Sequence, residues 1–311
     1  MRPGKFLRAA GIGAALFTTT ATFAQDFSNA QFEINRDRVK YGTIGSCAKS
    51  TAFLVPTVYL YVPVRTKLSA GGGINAVGVK ARVYIDGAGK AELQQLAGSI
   101  QNEMVGALRG AGYTVLTFDD VRGDVAGKSL MAANPRYGMP THDARAFPGT
   151  DFVVATPSDA QALEYGLIGG PNKPFADAAK RTGATQLITE VYLTMPQLGA
   201  QAANGENSMF RSSSASISFN PSMHLAGITV YGLTAKGSWC SIGVPEHGVR
   251  VPASRVGTFR EISVSDDDSS EWGKRRGDYA FVVDDDAFRT GVLAVGRSLG
   301  RLTADAMTSK R

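Results

Sequence analysis

The chain has 311 residues, with 33 lysines and arginines against 27 aspartates and glutamates, so its formal net charge is +6. Three basic residues (Arg2, Lys5 and Arg8) lie in the first eight positions, and without them 30 basic and 27 acidic residues leave a charge of +3. No dense cluster of lysine and arginine with interleaved aromatic residues occurs, which argues against a nucleic-acid partner.

The first 24 residues have the three parts of a secretory signal peptide. A basic start (Met1–Arg8) precedes the apolar run Ala9–Phe17, and small residues follow up to Ala24. An uncleaved membrane anchor is the alternative, but the apolar run is far shorter than the roughly 20 residues that span a bilayer. We expect residues 1–24 to be removed and the protein to work in the periplasm. Gln25, not a cysteine, directly follows Ala24, so we expect no lipid anchor.

The chain contains two cysteines, Cys47 and Cys240. An even number of cysteines in an exported protein favours a disulfide, and two separate buried thiols are the alternative. A bridge closing so long a loop stabilises by up to about 5 kcal/mol when its effect is treated as loss of chain entropy.

The first part of the mature chain predicts few elements. The polar stretch Gln25–Lys49 reads as an extended lead-in. Phe53–Val64 is rich in β-branched and aromatic residues and predicts a strand, and its two prolines place that strand at a sheet edge or a bend. Ser69–Gly73 predicts a turn or a flexible loop. Residues 25–76 are therefore expected to be an extended N-terminal segment with an edge strand, and residues 77–311 a single α/β domain with loop insertions.

The next part is the most strongly patterned. Val77–Ile85 alternates with period two and predicts a strand. A helix is predicted over Lys90–Arg109, followed by a glycine stop and a strand at Tyr113–Phe118. Gln101 and its polar neighbours are expected on the outer side of this helix. The apolar residues that recur at spacings of three and four are Leu93, Leu96, Ile100, Met104 and Leu108.

Loop-like composition separates the shorter elements of the middle region. Asp119–Gly149 and Glu164–Pro174 are rich in glycine, proline and polar residues and predict loops. The elements predicted between and after them are a short strand at Phe152–Thr156, a helix at Phe175–Thr182 that ends at Gly183, a strong strand at Thr185–Met195, and strands at Ser216–Phe219 and Leu225–Ala235.

The C-terminal part predicts irregular structure with room for one strand at Val244–Val256, a charged surface loop at Ser263–Gly277 and a final helix over Asp285–Met307. The residues at Asp284–Asp286 are placed to cap this helix and to complement its positive end. The predicted fold class is α/β or α+β, a mixed sheet with amphipathic helices packed on it.

The sequence contains no specific catalytic, cofactor or metal motif, so no catalytic, cofactor-binding or metal-ligating residue is predicted. The three histidines lack metal-ligand spacing. His142-Asp143 reads either as an exposed loop or as half of an acid–base pair. The acidic runs Asp266–Asp268 and Asp284–Asp286 lack the alternating spacing of a calcium loop, and a solvated loop and a helix cap explain them. Asp86–Gly89 lies between strand and helix but has no phosphate-loop spacing.

One stretch resembles known periplasmic proteins. Ala178-Ala179 and the run Gly183–Ile188 loosely match the segment that leads from helix to central strand in the curli secretion channel family, the lipoprotein activators of penicillin-binding proteins and the amino-terminal domain of TolB. The resemblance covers roughly residues 77–235 and implies a periplasmic α/β fold. The chain departs from it in lacking a lipid-anchor cysteine and in carrying Glu190, where a small residue is usual.

Three function classes follow from these features. The first is an exported, non-catalytic protein of cell-envelope assembly, secretion or surface-structure biogenesis, whose partners are other envelope proteins or further copies of itself. The second is a ring-forming outer-membrane pore component, in which residues 190–235 contact the membrane. A membrane-crossing strand needs about 9–11 residues of alternating apolar and polar character. Ser214–Asn220 alternates in this way, and Pro221 and Gly227 then interrupt the pattern. The third is a hydrolase of an envelope polymer that uses His142, Asp143 and a second acid.

Overall fold

The computed structural model describes most of the chain after residue 32. The described residues are 33–34, 36–70, 79–143, 149–164, 173–203, 214–245, 249–250, 256–267 and 274–309. The predicted signal peptide, the start of the predicted lead-in and the glycine run at 71–73 lie outside them.

The described residues form seventeen strands and five α-helices. The strands are β1 (Glu33–Ile34), β2 (Lys40–Gly42), β3 (Ala52–Val55), β4 (Val58–Ala70), β5 (Val79–Asp86), β6 (Thr114–Thr117), β7 (Ala133–Asn134), β8 (Met139–Asp143), β9 (Thr150–Ala155), β10 (Thr185–Thr194), β11 (Gln197–Ala203), β12 (Ser214–Asn220), β13 (His224–Leu233), β14 (Trp239–Pro245), β15 (Val249–Arg250), β16 (Gly257–Asp267) and β17 (Lys274–Val283). The helices are α1 (Ile44–Ala48), α2 (Lys90–Gly110), α3 (Phe118–Val125), α4 (Lys173–Thr182) and α5 (Asp285–Ser309).

A mixed sheet of 13 strands forms the centre of the molecule, with the main order β16-β17-β5-β4-β10-β13-β14-β2. One branch leaves β10 through β3 to β6, and another leaves β4 through β9 and β8 to β7. β10 runs parallel to β3 and β4 and antiparallel to β13. The predicted fold class is confirmed, because helices pack on a sheet with both parallel and antiparallel neighbours. β11 and β12 form a separate two-stranded sheet, as do β1 and β15.

Helices cover the sheet from both sides. α2 and α5 lie together on one face, and their predicted apolar stripes are buried in the larger hydrophobic cluster. α3 and α4 lie on the other face over a smaller cluster that includes Tyr59, Tyr61 and Ile188. Successive residues of β10 therefore contribute to different layers, because the side chains of a strand alternate between its two faces.

The long helices pack closely where α5 carries glycine. A Cβ added to Gly300 would come within 2.7 Å of the Glu103 carbonyl oxygen of α2, and one added to Gly296 within 3.2 Å of the Ile100 Cα atom. The predicted cap of α5 is confirmed, since the Ala287 N–H donates to the Asp284 carboxylate at 3.0 Å.

The predicted edge strand at Phe53–Val64 is wrong in its position. It consists of β3 and β4, and both lie inside the sheet: β3 pairs with β6 and β10, and β4 pairs with β5, β9 and β10. The predicted bend is present, because the strands separate at Pro56-Thr57 and the pairing of β4 with β9 shifts register after Pro63. A proline inside a sheet is tolerated at such irregularities because no ladder hydrogen bond is required of it there.

The backbone carbonyl groups at the break between β3 and β4 explain why the predicted exposure of Gln101 is wrong. Gln101 does not lie on the polar side of α2 but is buried, and its side-chain amide donates to the Val55 carbonyl at 2.8 Å. The amide of Gln161 donates to the Pro56 carbonyl at 2.8 Å. The two glutamines thus satisfy backbone acceptors that the interrupted ladder leaves in the interior.

Two segments predicted as a lead-in and as a loop contain regular structure. The lead-in before Ser50 includes β2 and α1, and Ile44, Cys47 and Ala48 of α1 are buried. The predicted loop at Asp119–Gly149 includes α3, which begins with a capping box between Thr117 and Asp120, and the strands β7 and β8. The capping box satisfies backbone N–H groups at the helix start, and this signal outweighs the loop-like composition that follows.

The predicted charged loop at Ser263–Gly277 is also wrong over its described residues. β16 extends to Asp267 and β17 starts at Lys274, and the two strands pair along their length. The register places Asp266 opposite Arg275 and Asp267 opposite Lys274. The pairing of the two strands, which the composition of either strand alone does not record, explains why so charged a stretch is extended. The end of β14 occupies the start of the region Val244–Val256, for which the sequence left room for one strand.

Candidate functional site: a buried glutamate and an amphipathic hairpin

The predicted disulfide between Cys47 and Cys240 is present and joins α1 to β14, with 6.1 Å between the two Cα atoms. Both sulfurs are buried. Gly232 of β13, paired with Cys240, makes room for them: an added Cβ would overlap the Cys240 Sγ atom and lie 2.8 Å from the Cys47 Sγ atom. The bridge therefore ties the N-terminal helix to a strand 193 residues away.

A carboxylate lies in the centre of the sheet, on the face that carries α3 and α4. Glu190 is the charged residue of β10 and is 7% exposed. Its register partners are Tyr59 on β4 and Thr229 on β13. A glutamate is rarely so buried unless hydrogen bonds or opposite charges compensate the loss of water.

Tyrosines surround this glutamate. The Tyr61 hydroxyl donates to the Glu190 Oε1 atom at 3.4 Å, and the Tyr61 and Tyr192 rings stack with centroids 4.0 Å apart and planes 6° apart. The Tyr192 hydroxyl also hydrogen-bonds with Tyr61 and Glu190. His142 lies against the same Tyr61 ring, with centroids 5.3 Å apart. We call Glu190, Tyr61, Tyr192, Tyr231 and His142 the Glu190 cluster.

The environment of the cluster disfavours tyrosinate. Burial, followed by the negative charge of Glu190, raises the pKa of Tyr192 well above its usual value. The same two causes raise the pKa of Tyr231, although a hydrogen bond from Thr229 partly opposes them. Both phenols therefore keep their protons at pH values where a solvated tyrosine has begun to ionise.

The cluster lies where the helical cover of this face ends. Phe175, Ala178 and Ala179 of α4 cover the sheet next to Ile188, two residues before Glu190. On the next strands, Thr229, Tyr231 and Gly243 on this face are only half-buried, whereas their neighbours on the opposite face are buried. The glutamate is thus at the boundary between a packed layer and an accessible sheet surface.

The residues that the sequence singled out are only partly brought together. His142 and Glu190 contact the same tyrosine, whereas Asp143 is described only through its backbone, which pairs with Asp151. His224 is elsewhere and hydrogen-bonds with Ser222 at 2.8 Å. His247 and Asp268 lie outside the described residues. Within the described part of the chain, no group of three histidine, cysteine, aspartate or glutamate residues is placed to hold a metal ion.

In the sequence, Glu190 is distinguished only as a departure from a family pattern. A charge inside the apolar strand Thr185–Thr194 was the available signal. Tyr192 lies two residues further along the same strand and therefore shares a face with Glu190. Tyr61 and Tyr231 belong to other stretches of the chain and come near Glu190 only through the register of β4, β10 and β13.

The second candidate feature is the hairpin of β11 and β12, which lies within the region predicted to contact a membrane. Seven residue pairs join its strands. The register pairs Leu198 with Phe219, Ala200 with Ile217 and Ala202 with Ala215, and polar or small residues occupy the pairs between them. Alternate pairs of an antiparallel ladder share a face, so the register gives the hairpin one apolar and one polar row.

The base of this hairpin is anchored to the main sheet by aromatic contacts. The Phe219 ring lies 4.9 Å from that of Phe259 and 4.8 Å from that of Tyr279, measured between centroids. These contacts lie on the side of the sheet that carries α2 and α5. The hairpin therefore starts from a fixed base and continues as a sheet of its own.

Comparisons with known proteins were negative. No known protein family, curated protein or solved structure matches the chain. No helix in the described part of the chain combines the length and the apolar character that a membrane crossing requires.

Proposed function

We propose that this protein is exported to the periplasm and acts there as a non-catalytic component of cell-envelope assembly, secretion or surface-structure biogenesis. The observation that carries the proposal is the buried disulfide between Cys47 and Cys240, because structural disulfides persist mainly in oxidising compartments. The N-terminal sequence, with its basic start, short apolar run and small residues, supports the same compartment.

The hairpin of β11 and β12 is the surface that we assign to partner contact, either with another envelope protein or with a further copy of this chain. Its apolar row is supported by the pairing of Ala200 with Ile217 and of Ala202 with Ala215. An apolar row on a two-stranded sheet gains stability when another surface covers it, since two strands alone are marginal in water.

Fractionation followed by size-exclusion chromatography of the native protein tests this function. We expect the protein in the periplasmic fraction as an oligomer or a partner complex. Ile217→Asp places a charge in the apolar row and should dissociate that complex, whereas Ser216→Asp, its neighbour in the polar row, should leave the complex intact. A monomer for all three proteins, or turnover of an ester, peptide or glycan substrate, would contradict the proposal.

A ring-forming outer-membrane pore is the second candidate, and the amphipathic register of the same hairpin favours it. In this case the apolar row faces lipid instead of a protein partner. Extraction only with detergent, as a large ring that Ile217→Asp prevents from forming, would support the pore. Release by osmotic shock as a small complex would favour the assembly component instead.

A further inference from the structure

A basic surface covers one face of the strands β4, β5, β17 and β16, at the other end of the sheet from the disulfide. Val83 of β5 and Phe281 of β17 are buried in the larger hydrophobic cluster, so the alternate residues of these strands belong to the opposite face. Five residues of that opposite face are cations from three separate stretches of the chain. We call them the basic face: Arg65 and Lys67 of β4, Lys80 and Arg82 of β5, and Arg260 of β16.

Strand register assembles the basic face. Lys67 is paired with Arg82, and Lys80 lies two positions before Arg82 on the same strand. Arg65 and Arg260 occupy the two ends of one row of residues that crosses all four strands. Neighbouring strands are about 4.8 Å apart and alternate residues of one strand are about 7 Å apart, so the cations cover an area about 14 Å wide instead of forming a single line.

Two of the five cations are neutralised by acids. Arg82 donates to both carboxylate oxygens of Asp278, at 2.8 and 2.7 Å, and Arg65 forms an ion pair with Asp151. The other three cations are exposed and form no ion pair within the described part of the chain: Lys67, Lys80 and Arg260. One further acid, Asp86, is exposed at the end of β5, and the face keeps a net positive charge when this residue is included.

Exposed aliphatic side chains lie beside these charges. Val282 is 40% exposed on the same face of β17, and Ile262 is 54% exposed at the register shift of β16. β16 is the outermost of the described strands at this end of the sheet, and such a bulge keeps an edge strand from pairing regularly with a further strand. The face of these strands is therefore better suited to contact than their edge.

We infer that the basic face lies against an anionic membrane surface, with its three uncompensated cations at the phosphate groups of the lipids and with Val282 and Ile262 at the boundary of the acyl chains. A bilayer presents negative charge in two dimensions with an apolar layer beneath it, so it complements both the spread of the cations and the exposed aliphatic side chains. A linear acidic polymer complements the charge alone.

This surface is distinct from the hairpin of β11 and β12. Phe219 of the hairpin contacts Phe259 and Tyr279, and Tyr279 is paired with Val83, so the hairpin starts from the other face of the same strands. A membrane on the basic face leaves the hairpin accessible to a partner. The inference goes beyond the proposed function and does not depend on it.

Co-sedimentation of the full mature chain with lipid vesicles tests the inference. One set of vesicles consists of phosphatidylcholine alone, and the other contains about one third phosphatidylglycerol. We expect binding to the anionic vesicles, at least about tenfold weaker binding to the neutral ones, and a loss of binding as salt rises from about 0.1 M to about 1 M. No binding to the anionic vesicles, or equal binding to both compositions, would overturn the inference.

Charge-neutralising variants locate the binding. Combining Lys67→Gln, Lys80→Gln and Arg260→Gln should weaken binding to the anionic vesicles by about 100-fold, since each cation near such a surface contributes about fivefold. Thermal melting verifies the fold of the triple variant. The three single variants, each about fivefold weaker than the wild type, carry the test if the triple variant does not fold.

A matched triple variant controls for net charge. Lys49→Gln, Lys128→Gln and Lys236→Gln remove the same charge from exposed positions outside the basic face and should bind within about threefold of the wild type. Equal losses in the two triple variants would refute the assignment to the basic face.

Other occupants give different results. Retention of the mature chain on immobilised polyglutamate, without binding to vesicles, would assign the basic face to an acidic protein and overturn the membrane contact. Ile217→Asp in the hairpin should bind anionic vesicles as the wild type does. Loss of vesicle binding in this variant would place the membrane contact on the hairpin and contradict the inference.

Discussion

The two faces of the central sheet are built on different principles. Under α2 and α5 the surface is apolar, glycines allow the helices to approach closely, and the disulfide is buried beside Gly232. Beyond α4 on the other face, a buried glutamate lies among tyrosines next to half-exposed strands. One face therefore stabilises the fold, whereas the other face retains a charged group that packing alone does not require.

The largest effect is expected at Gly232, on the apolar face. Gly232→Ala adds a methyl group where the two disulfide sulfurs lie, so the bridge is displaced or does not form, and the free energy of unfolding should fall by about 2–5 kcal/mol. Denaturant unfolding and alkylation of free thiols measure the result. In Gly243→Ala on the neighbouring strand, the added methyl group meets no atom nearer than 3.9 Å, so this variant serves as the control. If the two variants have equal free energies of unfolding, the fold does not depend on the space that Gly232 leaves for the disulfide.

The contact between α2 and α5 should be the next most sensitive. Gly300→Ala directs a methyl group at the backbone of Glu103, and we expect a loss of about 1–3 kcal/mol because the helices must move apart. Gly106→Ala, on the exposed side of α2 with open space around it, should instead stabilise by about 0.5–1 kcal/mol. If both changes lower the melting temperature alike, close helix packing is not the cause.

Glu190 should behave in the opposite way on the other face. Glu190→Gln keeps an acceptor for the Tyr61 hydroxyl and removes a desolvated charge, so the free energy of unfolding should change by less than about 1 kcal/mol or increase. Gln101→Leu, the comparison on the apolar face, leaves the Val55 carbonyl without its donor and should cost about 1–3 kcal/mol. A larger loss for Glu190→Gln than for Gln101→Leu would make Glu190 a structural residue.

The smallest effect concerns alkaline pH. Burial and Glu190 raise the pKa of Tyr192, so the folded chain keeps this proton to higher pH than the unfolded chain does. The associated stability is fully present below pH of about 10 and is lost as pH rises above it. Tyr192→Phe should make the melting temperature less dependent on pH in this range.

Glu190→Gln should lower the pKa of both Tyr192 and Tyr231, because it removes the negative charge beside them. Ultraviolet titration of tyrosinate measures both pKa values, and unchanged values would contradict the assigned contribution of Glu190.

Local sequence patterns predicted those helices and strands in which apolar residues recur at a regular spacing without interruption. The helices α2 and α5 and the strands β5 and β10 follow stripes or alternations that need no information from distant residues. α3 and β14 were missed because glycine, serine and charged residues obscure short patterns. No strand was predicted at β16 or β17, because their charged stretch resembles a surface loop and their extended structure depends on pairing between the two strands.

The sequence by itself determined the α/β class and the two long helices, because these follow from local spacing, and it pointed correctly to the pairing of its two cysteines. Only the tertiary structure decided that β3 and β4 lie inside the sheet and that Glu190 lies close to Tyr61 and Tyr231. The physical reason is strand register: it brings residues from β4, β10 and β13 side by side, and no pattern within one strand records which residue of another strand will be opposite.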